Sequence, residues 1–192
     1  MKLSSRFEAA LAYAARIHSG QVRKGTEIPF VSHLLAVACI VLENGASEDE
    51  AIGALIHDAA EDAGGQARID DIRGLFGERV AEIVEGCSDT FVTPKPLWLP
   101  RKEHHIAHLA RASASVRLVV AADKLHNVRA MLRDHRAIGD ALWSRFNASK
   151  ADTVWYCRAV TEALRNGCPG PLLDELDRSV AELELVATPR VS

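Results

Sequence analysis

The sequence has few of the features that identify membrane, secreted or nucleic-acid-binding proteins. Its four cysteines include no CxxC pair, which argues against a zinc ribbon. No apolar run is long enough to span a bilayer, and charges interrupt the first apolar stretch, so no signal peptide is indicated. The formal net charge of −3 gives no sign of the strongly basic surface of a nucleic-acid-binding protein. We therefore expect a cytoplasmic protein without membrane or nucleic-acid partners.

Aromatic residues are also scarce, at 5% of the chain, whereas alanine, leucine and valine are abundant. Because this composition favours helices over sheets, and no stretch alternates convincingly between apolar and polar residues, we predict an all-α fold. The 192 residues suffice for one domain with a substantial core, and no linker divides them. We expect a single domain over 1–192, with about eight to ten helices, a core at about 4–166 and a last helix at about 172–186.

Glycine, proline and capping residues mark the predicted helix boundaries. Ser47 and Glu50 form a capping-box pattern at the start of a helix that we expect to continue through residue 62. The segment at 20–30 carries two glycines and a proline, so it is predicted to be a loop. The other predicted helices cover residues 4–18, 31–43, 69–76, 77–87, 98–113, 115–133, 140–148 and 150–166.

The string ALIHDAAED ends an apolar helix with four polar side chains, those of His57, Asp58, Glu61 and Asp62. Because residues four apart on a helix share a face, these groups form one patch, and burying it without partners is unfavourable. A divalent cation would supply the missing charge, and imidazole with carboxylate suits manganese, iron or zinc. The alternative for this string alone is a solvent-exposed helix end, although acidic residues there oppose the helix dipole.

A second apolar string, RLVVAADKLHNVRAM, places Asp123 in the middle of a predicted helix. A lone aspartate is almost never buried unless it is paired or bound to a metal. An ion pair with Lys124 or Arg129 is the alternative, but both lie at unfavourable angles on the same helix. Asn127 is four residues on and faces the same way as Asp123, whereas His126 is expected to face elsewhere.

Two further strings contain histidines. His33 opens the apolar helix of IPFVSHLLAVACI after a proline turn. A histidine at such a position is more often a core or capping residue than a metal ligand. His33 is therefore a candidate ligand only because the other two strings accompany it. His104 and His108 in EHHIAH have a zinc-compatible spacing, but the HExxH motif and a third ligand are missing. We therefore interpret EHHIAH as a surface or packed cluster.

Together these strings resemble the HD-domain phosphohydrolases. The closer likeness is to the small stand-alone alarmone hydrolases and to the hydrolase domain of the bifunctional alarmone synthetase/hydrolases. It runs from about residue 7 to about residue 165 and rests on HSGQVRKGTEIPFVSH, HDAAED, FGERV, ADKLHN and WYCRAV. A His-Asp pair alone is weak evidence for this family, but RKG, HDxxED and ADKLHN in this order and spacing are strong evidence for it. The resemblance implies an HD-domain helical bundle.

The resemblance also implies a metal centre and a catalytic pair. In the family one divalent metal, manganese in characterised members, is bound by residues that correspond here to His33, His57, Asp58 and Asp123. Iron, zinc and cobalt are the alternative metals. The acidic pair beyond the His-Asp motif, Glu61 and Asp62, would activate or orient the attacking water.

Four further positions match nucleotide-binding residues of the family. Arg23 and Lys24 match the basic loop that packs on the guanine base, and Asn127 matches an asparagine at the sugar. Lys102 is similar to a basic position near the phosphates. The residues that depart from the family pattern are Phe30, Ala63 and the glycine-rich segment 63–68, which bear on substrate preference and not on hydrolysis.

The implied reaction removes the 3′-pyrophosphate from guanosine tetra- or pentaphosphate, giving GDP or GTP and pyrophosphate. The expected partner is thus a small nucleotide, and the oligomeric state is not indicated. A first alternative is an HD enzyme acting on another nucleotide, such as the 2′-phosphate of NADPH or a nucleoside phosphate. A second is an inactive nucleotide-binding sensor. The first alternative is distinguished by the released product, which is pyrophosphate from an alarmone and orthophosphate from another nucleotide. Measuring metal content together with turnover distinguishes an enzyme from an inactive sensor.

Overall fold

The computed structural model describes residues 2–62, 64–91, 94–165, 167 and 170–188, without the side chain of Asp62. Over this part the chain folds into a helical bundle, and the all-α prediction is confirmed. Its elements are α1 (Ser5–Ile17), α2 (Val31–Glu43), α3 (Glu48–Leu55), α4 (Ala59–Asp62), α5 (Gly65–Phe76), α6 (Glu78–Cys87), α7 (Trp98–Leu109), α8 (Ala114–Ile138), a 3-10 helix (Gly139–Arg145), α9 (Lys150–Leu164) and α10 (Pro171–Ala187). Among the residues described, no helix has the length and apolar character needed to cross a membrane.

The long helix α8 is the centre of the bundle. It contacts α2, α3, α6, α9, α10 and the 3-10 helix. Its first turns are apolar and buried, with Val119, Val120, Ala121 and Ala122 in the core. The burial of this stretch carries Asp123, the next residue, into the interior at 7% exposure. The hydrophobic packing of α8 therefore determines where a functional carboxylate lies.

The helix predicted to run unbroken from Ser47 through the His-Asp pair is interrupted, so that prediction was wrong. A three-residue turn at 56–58 separates α3 from α4. The Nδ1 of His57 donates to the carbonyl oxygen of Ala54 at 2.8 Å. In a continuous helix, that carbonyl would accept from the backbone N–H of Asp58. The imidazole thus takes the place of a helical hydrogen bond, and both side chains of the pair lie in a turn.

Other helix boundaries differ from the predicted ones for local reasons. α5 begins at Gly65 instead of residue 69, and α7 ends at Leu109 instead of residue 113. α8 continues past residue 133 until Gly139, whose positive φ of 59° ends it. The range predicted as a helix at 140–148 is instead covered mostly by the 3-10 helix.

The loop predicted at 20–30 is present and is closed by an isolated β-bridge between Val22 and Pro29. At its tip Gly25 has a positive φ of 69°. A Cβ atom added at Gly25 would lie 2.5 Å from Cγ of Arg145, so only glycine fits here. The loop therefore packs directly on the end of the 3-10 helix.

The last helix, α10, packs against α8 and α9. Its apolar face is buried through Leu172, Leu173, Leu176, Val180 and Leu183. Arginines of α8 and α9 pair with its acidic residues, the pairs being Arg129–Glu175, Arg136–Glu182, Arg158–Asp177 and Arg158–Glu184. The C-terminal helix is thus part of the bundle.

The capping box predicted at the start of α3 is present, and it makes a stability prediction. Ser47 Oγ accepts from the N–H of Glu50, whose carboxylate accepts from the N–H of Ser47 at 2.7 Å. Ser47→Ala should lower the free energy of unfolding by about 1 kcal/mol, because an N–H loses its acceptor. Urea denaturation measures the change. Ser144→Ala, which removes an exposed hydroxyl, is the control and should change the value by less than about 0.5 kcal/mol. Equal stabilities for Ser47→Ala and the wild type would contradict the prediction.

Candidate functional site

Three segments bring two histidines and two carboxylates together: α2, the turn before α4, and α8. The Nε2 of His33 lies 3.1 Å from Oδ1 of Asp123 and 3.7 Å from Oδ2 of Asp58. The Nε2 of His57 lies 3.1 Å from Oδ2 of Asp58 and 3.7 Å from Oδ1 of Asp123. Ligand atoms of His33, His57 and Asp58 all lie within 4.8 Å of one another. The four side chains predicted as metal ligands therefore converge.

The buried imidazole of His57 tests whether this cluster suits a cation. Its side chain is 3% exposed, and its Nε2, although 3.1 Å from Oδ2 of Asp58, makes no hydrogen bond of acceptable geometry with the described residues. Since Nδ1 already donates to the backbone, Nε2 is left to hold either a proton or a metal ion beside two carboxylates. A buried nitrogen without such a partner would be unfavourable. The residues present thus fit a divalent metal.

The pKa shifts reflect the same need for positive charge. Burial opposes the charged form of His57, but the carboxylates of Asp58 and Asp123 outweigh it and raise the pKa of His57 well above 6.5. Burial would likewise raise the pKa of Asp123, but the Lys124 charge and both imidazoles hold it well below its usual range. For His33, burial prevails and lowers the pKa. The cluster therefore favours a cation at the Nε2 of His57.

Asp123 is paired with Lys124, contrary to the prediction that their angle on the helix is unfavourable. The Nζ of Lys124 lies 2.7 Å from Oδ2 of Asp123. Four flexible methylenes let the ammonium fold back toward its neighbour, which the angle between Cβ atoms does not show. Asn127 donates to Oδ1 of Asp123 at 2.6 Å. Lys124 therefore occupies one oxygen, while the other faces the two histidines.

His126 belongs to the site, and the prediction that it faces elsewhere was wrong. Its Nδ1 lies 2.7 Å from the Nδ1 of His33. It follows Asp123 by three residues, a spacing that places both on one face of α8. Burial lowers the pKa of His126 to about 4, so its ring is neutral. When His33 uses Nε2 as a ligand, its Nδ1–H donates a hydrogen bond to the Nδ1 of His126. This bond fixes the ring of His33 with its Nε2 toward the carboxylates.

Glu61, the first of the predicted catalytic acids, lies in α4, directly after the turn that carries His57 and Asp58, and lines the cavity described below. Its carboxylate accepts from Nζ of Lys95 at 2.8 Å and from the backbone N–H of Asp89 at 3.4 Å. Its side chain is 21% exposed, so solvent reaches it. The side chain of Asp62, the second predicted acid, lies outside the described residues, and its role stays a prediction.

A cavity of about 450 Å³ is joined to the cluster through Lys124 and Asn127, which line it and bond to Asp123, whereas the four cluster residues are not among its lining residues. Its wall includes the carboxylates of Glu61 and Asp134 and the cationic side chains of Arg23, Lys24, Lys95, Arg101, Lys102, Lys124, Arg133 and Arg145. Aromatic surface comes from Phe30, Trp98, Phe146 and Tyr156. The cavity is therefore strongly basic, although the chain as a whole carries a net charge of −3.

The four positions predicted to bind substrate all line this cavity. Arg23 donates to Oδ1 of Asn127 at 2.7 Å, and its guanidinium lies over the ring of Phe30. Lys24 donates to Asn147 at 2.8 Å. The Nζ of Lys102 lies 2.5 Å from Asp89 and 4.6 Å from the ring centre of Tyr156. One cavity thus gathers the predicted positions, while their binding roles stay predictions.

The cations of the cavity form two groups. The proximal cations adjoin the metal-ligand cluster and its acidic neighbours, and they are Lys95, Arg101, Lys102 and Lys124. The distal cations lie around the loop and the 3-10 helix, and they are Lys24, Arg133 and Arg145. On α8, Lys124 and Arg133 are about 13 Å apart along the helix axis. A ligand that fills the cavity therefore meets positive charge at both ends.

Sequence reasoning missed most of these cations. Lys95 and Arg101 flank a proline-rich stretch without helical periodicity, and Arg133 and Arg145 have the sequence context of ordinary exposed arginines. One signal was available, since PKPLWLPRK concentrates cations around Trp98. A basic segment with a central aromatic residue is compatible with a phosphate-binding wall.

His105 supports the cavity wall from inside the bundle. Its side chain is 3% exposed, and its Nδ1 lies 2.8 Å from the hydroxyl of Tyr156. The ring of Tyr156 in turn lies against Lys102 and Lys124. Burial lowers the pKa of His105 to about 3 and raises the pKa of Tyr156 to about 12, so both are neutral near neutral pH. The neighbouring His104 and His108 are exposed, as expected for a surface cluster.

The comparison with protein families decides the assignment. A family model described as an HD domain matches residues 10–153, three quarters of the chain. The chain belongs to the HD-domain family. The match includes the whole cluster and ends early in α9. Hydrolases with HD domains bind a divalent metal, in agreement with the cluster of His33, His57 and Asp58.

Curated relatives of this HD-domain protein include enzymes of similar length and one that is several times longer. Guanosine-3′,5′-bis(diphosphate) 3′-pyrophosphohydrolase MESH1 of Xenopus tropicalis is 36% identical over 127 residues, covering 65% of this chain and 68% of the relative. Its Drosophila melanogaster namesake is 35% identical over 129 residues, covering 66% and 69%. The bifunctional (p)ppGpp synthase/hydrolase SpoT of Escherichia coli K12 is 33% identical over 132 residues, which are 66% of this chain and 18% of SpoT.

Solved structures share the bundle. A metazoan ortholog of SpoT, described as hydrolysing ppGpp, superposes with a TM-score of 0.79 at 26% identity, covering 95% of this chain and 97% of that one. A Listeria monocytogenes EGD-e protein superposes with a TM-score of 0.71 at 28% identity, covering 79% and 97%. The HD-domain bundle implied by the sequence motifs is thus confirmed.

Removing one side chain of the cluster should abolish metal binding. We expect the wild type to retain about one divalent ion per chain after incubation with manganese and dialysis, and His57→Ala and Asp58→Ala to retain none. Elemental analysis and calorimetric titration measure this. His104→Ala, which removes an exposed histidine outside the cluster, is the control and should bind as the wild type does. Wild-type affinity in either cluster variant would refute the metal centre.

The burial of His105 predicts acid sensitivity. Its folded-state pKa of about 3 lies below the ordinary value of 6.5, so the unfolded chain binds one more proton between these values. The free energy of unfolding should therefore fall as the pH drops from 6.5 toward 3. His105→Gln, which cannot titrate, should reduce this slope by up to about 1.4 kcal/mol per pH unit. Urea denaturation of metal-free protein at several pH values measures the slope. His104→Gln is the control, and identical slopes for wild type and His105→Gln would disprove the effect.

Proposed function

We propose that this protein hydrolyses the 3′-pyrophosphate of guanosine tetra- and pentaphosphate, giving GDP or GTP and pyrophosphate. The observation that carries the proposal is the cluster of His33, His57, Asp58 and Asp123, which adjoins a cavity with cations at both ends. The substrate is supported by the names of the MESH1 and SpoT relatives, which are guanosine bis(diphosphate) hydrolases.

We assign these four side chains as ligands of one divalent metal ion. Two imidazoles and two carboxylates suit manganese, with iron, zinc and cobalt as alternatives. When bound, such an ion lowers the pKa of water and neutralises phosphate charge. His126 and the Ala54 carbonyl hold the two imidazoles so that each presents its Nε2.

Glu61 is the residue we assign to accept the proton of the attacking water. It lies beside the cluster and borders the cavity, and Lys95 together with the backbone of Asp89 holds its carboxylate in place. A carboxylate positioned in this way acts as a general base when the water lies within hydrogen-bonding reach. Asp62, the second acid of the pair, is assigned to orient the same water.

The reaction adds water across the bond between the ribose 3′-oxygen and its phosphorus. The water oxygen bonds to phosphorus, the bond from phosphorus to the 3′-oxygen breaks, and the 3′-oxygen ends as a hydroxyl carrying a proton. The electron pair of the broken bond stays on the 3′-oxygen, which takes up a proton, and the proton of the water passes to Glu61. The pyrophosphate product contains the water oxygen, and its negative charge faces the proximal cations. Water is the sole co-reactant.

The two groups of cations favour a nucleotide with two anionic arms. With the 3′-diphosphate at the proximal cations, the 5′-diphosphate lies toward the distal cations. The base lies in the same distal half of the cavity as the 5′-diphosphate, where Arg23 offers it the guanidinium plane that lies over Phe30. A nucleoside phosphate with a single anionic arm would leave one group of cations without a phosphate to bind.

The alternative substrate, NADPH, also carries two separated anionic groups, so the cavity alone does not discriminate against it. Its hydrolysis would release orthophosphate from the 2′-position instead of pyrophosphate. The alternative of an inactive sensor is disfavoured because the four cluster residues and Glu61 are all present.

A substrate panel with manganese tests the proposed function. The wild type should release pyrophosphate from guanosine 3′,5′-bis(diphosphate), and no orthophosphate from NADPH or GTP. Asp58→Ala should have no turnover, whereas Glu61→Gln should keep the metal and turn over about 100- to 10,000-fold more slowly. Chromatography of the products and elemental analysis give both readouts. His104→Ala should retain the wild-type rate.

Two outcomes would reject this function. Orthophosphate from NADPH, without pyrophosphate from the guanosine substrate, would establish the first alternative. No turnover of any substrate by metal-loaded wild type would establish the sensor.

A further inference from the structure

Asp134 is the acidic residue at the distal end of the cavity. Among the described residues that line the cavity, the other carboxylate is that of Glu61 in α4, which follows the turn of His57 and Asp58. On α8, Asp134 follows Asp123 by eleven residues, or about three turns. The two carboxylates therefore project from nearly the same face of α8, about 16 Å apart along its axis.

Two arginines hold the Asp134 carboxylate in a fixed orientation. Its Oδ2 accepts from Arg145 at 2.7 Å, and its Oδ1 accepts from Arg133 at 3.0 Å. Burial lowers the pKa of Arg23, and the negative charge of Asp134 acts to raise it. An ionised carboxylate offers about four lone-pair sites, and the contacts with the two arginines leave at least one site open on Oδ2. Asp134 is thus a rigid acceptor with capacity for a ligand.

Purine bases differ in what they offer to such an acceptor. The Watson–Crick edge of guanine carries two adjacent donors, N1–H and the 2-amino group, which match the two oxygens of one carboxylate. Adenine carries an amino group beside an acceptor nitrogen, and that nitrogen would face the carboxylate lone pairs. A carboxylate at the base end of a nucleotide cavity therefore favours guanine and disfavours adenine.

We propose that Asp134 binds the N1–H and 2-amino edge of guanine and thereby selects guanine over adenine nucleotides. This inference rests on the proposed function, because it assumes a nucleotide whose 3′-diphosphate lies at the proximal cations. The separation along α8 between Asp123 and Asp134 then spans the ribose and base. Arg23 lies over Phe30, and the negative charge of Asp134 acts to raise its pKa. Arg23 would therefore lie beside the guanine base that Asp134 binds.

A second role for Asp134 would be to position Arg145, on which the loop at Gly25 packs. The two roles predict different outcomes. Loss of a positioning residue lowers the rate with every substrate in the same proportion. Loss of a base-reading residue changes the ratio between bases.

The test compares guanosine, inosine and adenosine 3′,5′-bis(diphosphate) as substrates of the manganese-loaded protein. The wild type should favour guanosine over adenosine, with inosine, which lacks the 2-amino group, in between. Asp134→Asn keeps the size of the side chain and replaces one acceptor with a donor. It should lower kcat/KM for guanosine about 10- to 100-fold without lowering the value for adenosine.

Matched variants separate the causes. Glu182→Gln breaks the Arg136–Glu182 ion pair of α8, outside the cavity, and should leave the base ratio unchanged. Arg145→Met should lower kcat/KM for all three substrates. Its ratio of kcat/KM between the guanosine and adenosine substrates should remain higher than the same ratio measured for Asp134→Asn. Circular dichroism verifies that each variant folds.

Several results would overturn the inference. If Asp134→Asn lowers guanosine and adenosine turnover in equal proportion, Asp134 only positions its neighbours. If the wild type hydrolyses guanosine and inosine substrates equally well, no residue reads the 2-amino group, a result that needs no variant. Release of no pyrophosphate from any of the three would instead reject the proposed function, whereas turnover without base preference rejects this inference alone.

Discussion

The hydrogen bond from His57 Nδ1 to the Ala54 carbonyl is the constraint on which the candidate metal centre depends. It ends α3 and so turns Asp58 away from a helical path, and it leaves the Nε2 of His57 facing two carboxylates. One bond thus couples the secondary structure to the chemistry of the centre. His33 and Asp123 reach the same point because their helices, α2 and α8, pack closely in the core.

Around the candidate metal centre, a region rich in carboxylates is followed by a region rich in cations. The cluster itself is rich in carboxylate and favours a cation, while the adjoining cavity is lined mainly by cations and suits an anion. Lys124 joins the two regions, because it pairs with Asp123 and lies against Tyr156 on the cavity wall. A centre that attracts a metal beside a wall that attracts phosphate is the arrangement that metal-assisted hydrolysis of a phosphate ester requires.

Much of the fold and of the candidate site followed from the sequence, and the failures have physical causes. Apolar periodicity and caps located the helices, and the buried Asp123 followed from its apolar neighbours. The turn at 56–58 could not be predicted, because a side chain competing for a backbone carbonyl leaves no trace in periodicity. Lys124 was misjudged since Cβ angles ignore a long side chain, and Asp134 needed tertiary contacts to be noticed at all. The binding and catalytic roles remain predictions.

The packing of α10 has a consequence for the part of the chain that the HD-domain match leaves out. The match ends at residue 153, yet Leu176, Val180 and Leu183 lie beyond it and are fully buried. A fragment that ends at residue 153 would lack α10, so the apolar surface of α8 that α10 covers would be exposed to water. Exposed apolar patches of this kind promote self-association. The unit that keeps these apolar side chains covered is therefore longer than the stretch matched by the HD-domain family model.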